Sequence, residues 1–151
     1  MNIYVMHTNY DRAQGGVNDV LAEILGLENI LPLSLGLVGE CGIGIQEIAD
    51  RVNSPVRAWN GPHLPGTLGV VGGSGFSPEL IREAADAGAG SFLSAELRHS
   101  VARSSPIPLL EATHYALEAP AMRSLAERMG WTYIEDIPQL QTWTPMNSGN
   151  C

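Results

Sequence analysis

The sequence predicts an α/β fold in which helices cover a largely parallel or mixed sheet. Short apolar runs of strand-forming residues alternate along the chain with amphipathic helical stripes. Strands also tend to end in polar or glycine-rich loops that lead into helices. The 151 residues leave room for one ordinary domain or two very small ones, and a 44% hydrophobic content suffices for a packed core.

Taken in order, Ile3 to Met6 reads as a short strand running into the polar string His7-Thr8-Asn9-Tyr10-Asp11. Val17, Val20, Leu21, Ile24 and Leu25 form one helical stripe, stopped by Gly26. Leu33, Leu35 and Leu37 alternate as in a strand, and Ile45, Ile48, Ala49 and Val52 make a second helical stripe closed by Asn53 and Pro55. Residues 54–67, with three prolines and no periodicity, read as a connector between parts at 1–53 and 68–137. Beyond it, Leu68 to Val71 is a buried-type strand that enters Gly72-Gly73-Ser74-Gly75. Ser77 as N-cap and Pro78 at the first position then open a helix over 78–87. Ser91 to Leu97 and Ile107 to Ala112 read as strands. Pro120 opens a last helix that Gly130 ends, Tyr133-Ile134 reads as a short strand, and 138–151 as a loosely ordered tail.

Sixteen acids face eight bases, every one an arginine, for a net charge of −8. That balance excludes a non-specific nucleic-acid binder, which needs a basic stripe, and favours cations as ligands. No run approaches the 18 or so apolar residues of a membrane span, and the start MNIYVMHTNYD has no leader pattern. Cys41 and Cys151 make a poor disulfide framework. A reduced, cytoplasmic setting without a membrane partner is the expectation.

Ligands of α/β sheets collect where strands end. Two such places hold an imidazole and a carboxylate at the same spacing: His7-x-x-x-Asp11, and His114-x-x-x-Glu118. That donor mix suits zinc, manganese, iron or nickel, and two carboxylates can bridge a pair of ions that acidify a bound water. Taken singly, each pair fits turn or helix-start chemistry better than ligation. The glycine loop 72–75 can approach an anion or simply turn the chain; it lacks both a full dinucleotide fingerprint and a P-loop lysine. His99, after Glu96-Leu97-Arg98, is the candidate acid or base if it faces the same cleft. Cys41 reads as a buried apolar residue, and His63 has no assigned role.

The strings HTNYDRAQGGVNDVLAEILGL, VVGGSGFSPELIREAADAGA, SFLSAELRHS and ATHYALEAPAMRSLAERMG resemble, in order, four blocks of the Nif-three-like family. Its members are often named GTP cyclohydrolase I type II homologues. The resemblance spans roughly residues 3 to 134. It implies layered α/β/α lobes with a mixed sheet, a cleft with two divalent metal ions, and a ring-shaped homo-oligomer. It also implies a metal-dependent hydrolase of cyclohydrolase type acting on a small nucleotide-like substrate. Residue by residue, it places Asp11, His114 and Glu118 on the metal, and His7, Glu96 and His99 near the site.

Two departures matter. The family's upstream His-His-Pro block does not occur in this sequence, and Ser94-Ala95-Glu96 stands where Thr-Gly-Asp or Thr-Gly-Glu is common. The expectation is therefore a first lobe truncated at its N-terminus and a metal site with three of its protein ligands. A non-catalytic metal-binding or protein-interaction module is the alternative reading.

Overall fold

The computed structural model describes residues 2–61, 66–139 and 141. Its elements are α1 (Thr8–Asp11), α2 (Val17–Leu25), β1 (Glu28–Pro32), β2 (Leu37–Cys41), α3 (Ile45–Val52) and β3 (Arg57–Trp59). They continue as β4 (Gly66–Val70), α4 (Pro78–Asp86), β5 (Ser91–Ser94), α5 (His99–Ser104), β6 (Leu109–Glu111) and α6 (His114–Met129). Six strands form one mixed sheet in the order β1-β2-β4-β5-β6-β3. β4, β5 and β6 run parallel, while β1, β2 and β3 pair antiparallel with their neighbours.

Strand alternation divides the core into two layers. Leu68, Val70, Leu93 and Leu110 point to the face covered by α2, α3 and α6, where Leu21, Leu25, Ile48 and Leu117 meet them. Phe92, Leu109 and Val38 point to the other face, against Ile81 and Ala84 of α4 and Val101 of α5. Phe92 is fully buried, with its ring 6.0 Å from that of Phe76. No helix among the described residues is long and apolar enough to cross a membrane.

Local signals account for three helix boundaries. Ser77 Oγ accepts the Leu80 N–H at 3.1 Å to start α4 behind Pro78, and left-handed Gly26 and Asn53 end α2 and α3.

Several expectations are corrected. Residues 3–6 form no strand: no described strand offers them a ladder, and Ile3, Tyr4 and Val5 are exposed. Leu33 and Leu35 lie in a hairpin turn between β1 and β2, reversed at Gly36, whose φ is +93°, and only Leu37 is in a strand, opening β2. The predicted connector contributes β3 and the start of β4, so the sheet joins strands from both sides of 54–67. β5 stops at Ser94 because Glu96 turns left-handed, and β6 begins only after Pro108, which has no N–H to donate. Residues 99–104, given no element in the sequence, form α5.

α6 begins at His114, six residues before Pro120, which lies inside it. An interior proline costs roughly 3 kcal/mol. Burial of Ala116, Leu117, Ala119 and Ala121 offsets it. Tyr133-Ile134 is not a strand; Tyr133 lies against α6, its hydroxyl 3.3 Å from that of Tyr115. Of the predicted loose tail, residues 140 and 142–151 lie outside the described residues, as does His63.

Candidate functional site

Parallel pairing of β4, β5 and β6 brings the loops after them to one edge of the sheet. The loop after β4 supplies Gly73 and Ser74, that after β5 supplies Glu96, and that after β6 leads into His114. His114 and Glu118 stand one turn apart on α6, so the spacing read as a strand-end loop is a helical i,i+4 pair.

His114 is the centre of the cluster. Its Nδ1 lies 2.7 Å from Glu96 Oε1 and its Nε2 lies 3.0 Å from Glu118 Oε1. Burial alone would push its pKa down, but Glu96 and Glu118 outweigh it and raise the imidazole above its ordinary 6.5. Hydrogen bonds from His114 and the Ser74 hydroxyl hold the Glu96 carboxyl below its usual range. Glu96 reaches this position from left-handed backbone, φ +62°, a strained conformation for a residue with a Cβ. Gly73, at φ +69°, packs under the pair: a Cβ there would collide with Glu118 Oε1 and lie 3.0 Å from His114 Nε2.

Asp11, at the end of α1, lies within the electrostatic reach of His7, His114 and Arg12. Burial nevertheless dominates and raises its pKa. His7 precedes α1, its Nδ1 3.2 Å from the Thr8 hydroxyl. His99 packs edge-on against Trp59 at 5.8 Å between centroids, beside the outer strand β3. A cleft of about 370 Å³ separates Asp11 and Gln14 from the β1–β2 hairpin turn. A cavity of about 640 Å³ opens beside Cys41 and Gly66 at the opposite end of the sheet and touches none of these residues.

As donors, an imidazole and three carboxylates fit a divalent ion chemically. They fall short of a complete ligand set: among the described residues no three His, Cys, Asp or Glu side chains are gathered closely enough to hold a metal.

The family model for Duf34/NIF3 (NGG1p interacting factor 3) matches residues 1–140. The chain belongs to the Duf34/NIF3 family. A relative from Streptomyces coelicolor named GTP cyclohydrolase 1 type 2 homolog is 34% identical, covering 94% of this chain and 61% of its own length. Its namesake from Methanothermobacter thermautotrophicus is 32% identical, with coverages of 93% and 64%. Reduced HcgD from Methanocaldococcus jannaschii superposes at a TM-score of 0.72 and 27% identity, over 84% of this chain and 56% of that one. The Bacillus cereus protein related to NIF3, 14% identical at a TM-score of 0.71, shares the fold. The chain thus spans less than two thirds of the length of the curated Duf34/NIF3 relatives described here.

What the sequence did not reveal in this Duf34/NIF3 chain is a frame of buried polar side chains. Five are buried among the described residues, and four of them grip backbone beside the cluster. Asn18 Nδ2 donates to the Asp11 carbonyl at 2.8 Å, while its Oδ1 accepts the Gly72 N–H at 2.9 Å. Ser94 Oγ accepts from Gly75 N–H and donates to the Gly73 carbonyl, both at 2.8 Å. Glu111 Oε1 accepts the Leu97 N–H at 2.9 Å, next to Glu96. Ser54 Oγ accepts the Thr113 N–H at 3.2 Å, next to His114. A usable signal existed in the polar residues interrupting apolar runs, Ser94 in SFLSA and Glu111 in PLLEA.

Proposed function

We propose that this chain contributes Asp11, His114 and Glu118 to a divalent-metal centre of hydrolase type, with Glu96 orienting His114. The observation that carries the reading is His114 clasped between Glu96 and Glu118 within reach of Asp11. Two carboxylates against one imidazole, with Asp11 in the same electrostatic field, leave a surplus of negative charge that a cation neutralises. Glu96 holds Nδ1, which fixes the ring and leaves Nε2, beside Glu118, as the nitrogen able to ligate. Zinc, manganese, iron and nickel all suit such donors. A divalent ion held there supplies the means to acidify a bound water to near neutrality. The relatives' name, GTP cyclohydrolase 1 type 2 homolog, supports a nucleotide-like small molecule as substrate. Further ligands, and the second ion of a dinuclear centre, come in this reading from outside the described residues. Assembly of copies into a ring and a cytoplasmic location belong to the same proposal.

The test is elemental analysis of chelator-treated, reconstituted protein. Asp11→Ala, His114→Ala and Glu118→Ala each lower the bound metal; unchanged stoichiometry in all three overturns the assignment. The short donor set favours a second reading, a non-catalytic metal-binding or interaction module. Metal-dependent turnover of nucleotides and phosphate esters by loaded protein decides for the hydrolase, and its absence for the module.

A further inference from the structure

Asn18 lies near the start of α2 with 2% of its surface exposed. Each face of its amide is used, and each partner belongs to a different segment of the site. The Asp11 carbonyl stands at the end of a one-turn helix, where carbonyls lack intrahelical partners. The Gly72 N–H belongs to the loop that carries Gly73 beneath Glu118 and His114. Because one partner is an acceptor and the other a donor, the amide orientation is fixed. A planar amide is the short side chain that offers both in one plane; aspartate lacks the donor and leucine lacks both.

We infer that Asn18 is a positioning residue that sets Asp11 against the glycine loop and thereby against His114 and Glu118. This rests on the reading of those three residues as one cation centre. The α1 region has attachments besides Asn18. Arg128 donates to the Tyr10 hydroxyl and the Gly15 carbonyl at 2.9 and 2.8 Å, and Asp19 accepts the Gly15 N–H at 2.6 Å. What Asn18 adds is register between two segments far apart in sequence, which is how supporting hydrogen bonds tune a metal site.

The test uses the whole chain and Co²⁺ as probe, with affinity read from a visible-absorption titration and folding from thermal unfolding. Asn18→Ala and the neutral near-isostere Asn18→Leu are expected to fold and to weaken Co²⁺ binding at least about tenfold. Amide hydrogen exchange at Gly72, measured without metal, rises in both. Asp11→Ala alone weakens binding, and adding Asn18→Ala to it weakens binding no further, because Asn18 acts through Asp11. A purely structural role instead gives an additional loss in the double variant. Wild-type affinity in the folded Asn18 variants overturns the inference and leaves the metal reading intact. No Co²⁺ binding by the wild-type chain overturns the metal reading itself. Loss of cooperative unfolding in both Asn18 variants assigns the residue to folding and overturns the inference as well.

Discussion

Glu96 Oε1 and His114 Nδ1 stand 2.7 Å apart, while the other ring nitrogen of His114 faces Glu118 at 3.0 Å. A neutral imidazole carries one N–H, so only the imidazolium donates to both carboxylates. Without metal, this proton stands between groups assigned here to a cation, and metal uptake should release it.

The pH dependence follows from the signs of the two shifts. Burial opposes the charge on His114, but Glu96 and Glu118 outweigh it, so its pKa is raised. Its contribution to stability is fully present below the ordinary 6.5 and is lost as pH rises through the raised value. Glu96 is lowered by His114 and Ser74, so its contribution is present above 4.5 and lost as pH falls through the lowered value. For metal-free protein, the thermal midpoint of wild type over Glu96→Gln should therefore differ most between about pH 4.5 and 6.5. An NMR titration of the His114 ring should show a lower pKa in Glu96→Gln; an unchanged value sinks the assignment.

Gly73→Ala should damage the site twice. The backbone at φ +69° disfavours a side chain, at a cost of about 1–2 kcal/mol. The new Cβ also displaces Glu118 from its place beside His114. Denaturant unfolding should show the stability loss, and the ring pKa of His114 should fall as Glu118 moves away. Stability and pKa both at wild-type values would contradict the packing described.

The parallel strands β4, β5 and β6, the helices α2, α3 and α4 and the chemistry-bearing residue types were legible because periodicity and capping are local. Val17–Leu25 and the helix behind Ser77-Pro78 have their expected places. The failures come from tertiary context. Whether Leu33 and Leu35 extend or turn depends on Gly36, and a strand at 57–59 exists only because β6 offers it a ladder. Pro120 looked like a helix start because burial of Leu117 and the alanines around it is invisible in sequence. The blocks singled out Asp11, His114 and Glu118, but no spacing rule says that Asn18 or Ser94 grips the loops presenting them.

Glu111 and Arg57 should respond unequally to substitution. Glu111 has a side chain 11% exposed, bonding the Leu97 N–H and the Arg57 guanidinium, whereas Arg57 is 74% exposed. Glu111→Gln turns one acceptor into a donor facing another donor, at about 1–3 kcal/mol. Arg57→Ala forfeits a largely solvated pair worth under about 1 kcal/mol. Chemical denaturation of the two variants measures the asymmetry, and equal losses would mean that the Leu97 bond carries little. Because Leu97 follows left-handed Glu96, Glu111→Gln should also loosen Glu96 and lower the pKa of His114.

Ser94→Ala tests the loop from beneath. The hydroxyl is fully buried and makes two bonds to the glycine loop, accepting from Gly75 and donating to Gly73. Gly73 O keeps a second partner, the Ala95 N–H at 2.9 Å, so the group left without its bond is the Gly75 N–H. One orphaned buried donor costs about 1–3 kcal/mol, and the missing oxygen leaves too little room for a water to replace it. The loss should be concentrated locally: amide exchange at Gly75 should rise more than in the strand cores of β4 and β5. Thermal unfolding compared with exchange at Gly75 separates the outcomes. A uniform rise across the sheet would mean that Ser94 supports the core at large, and no rise at Gly75 would remove the hydroxyl from the frame that holds the loop under His114 and Glu118.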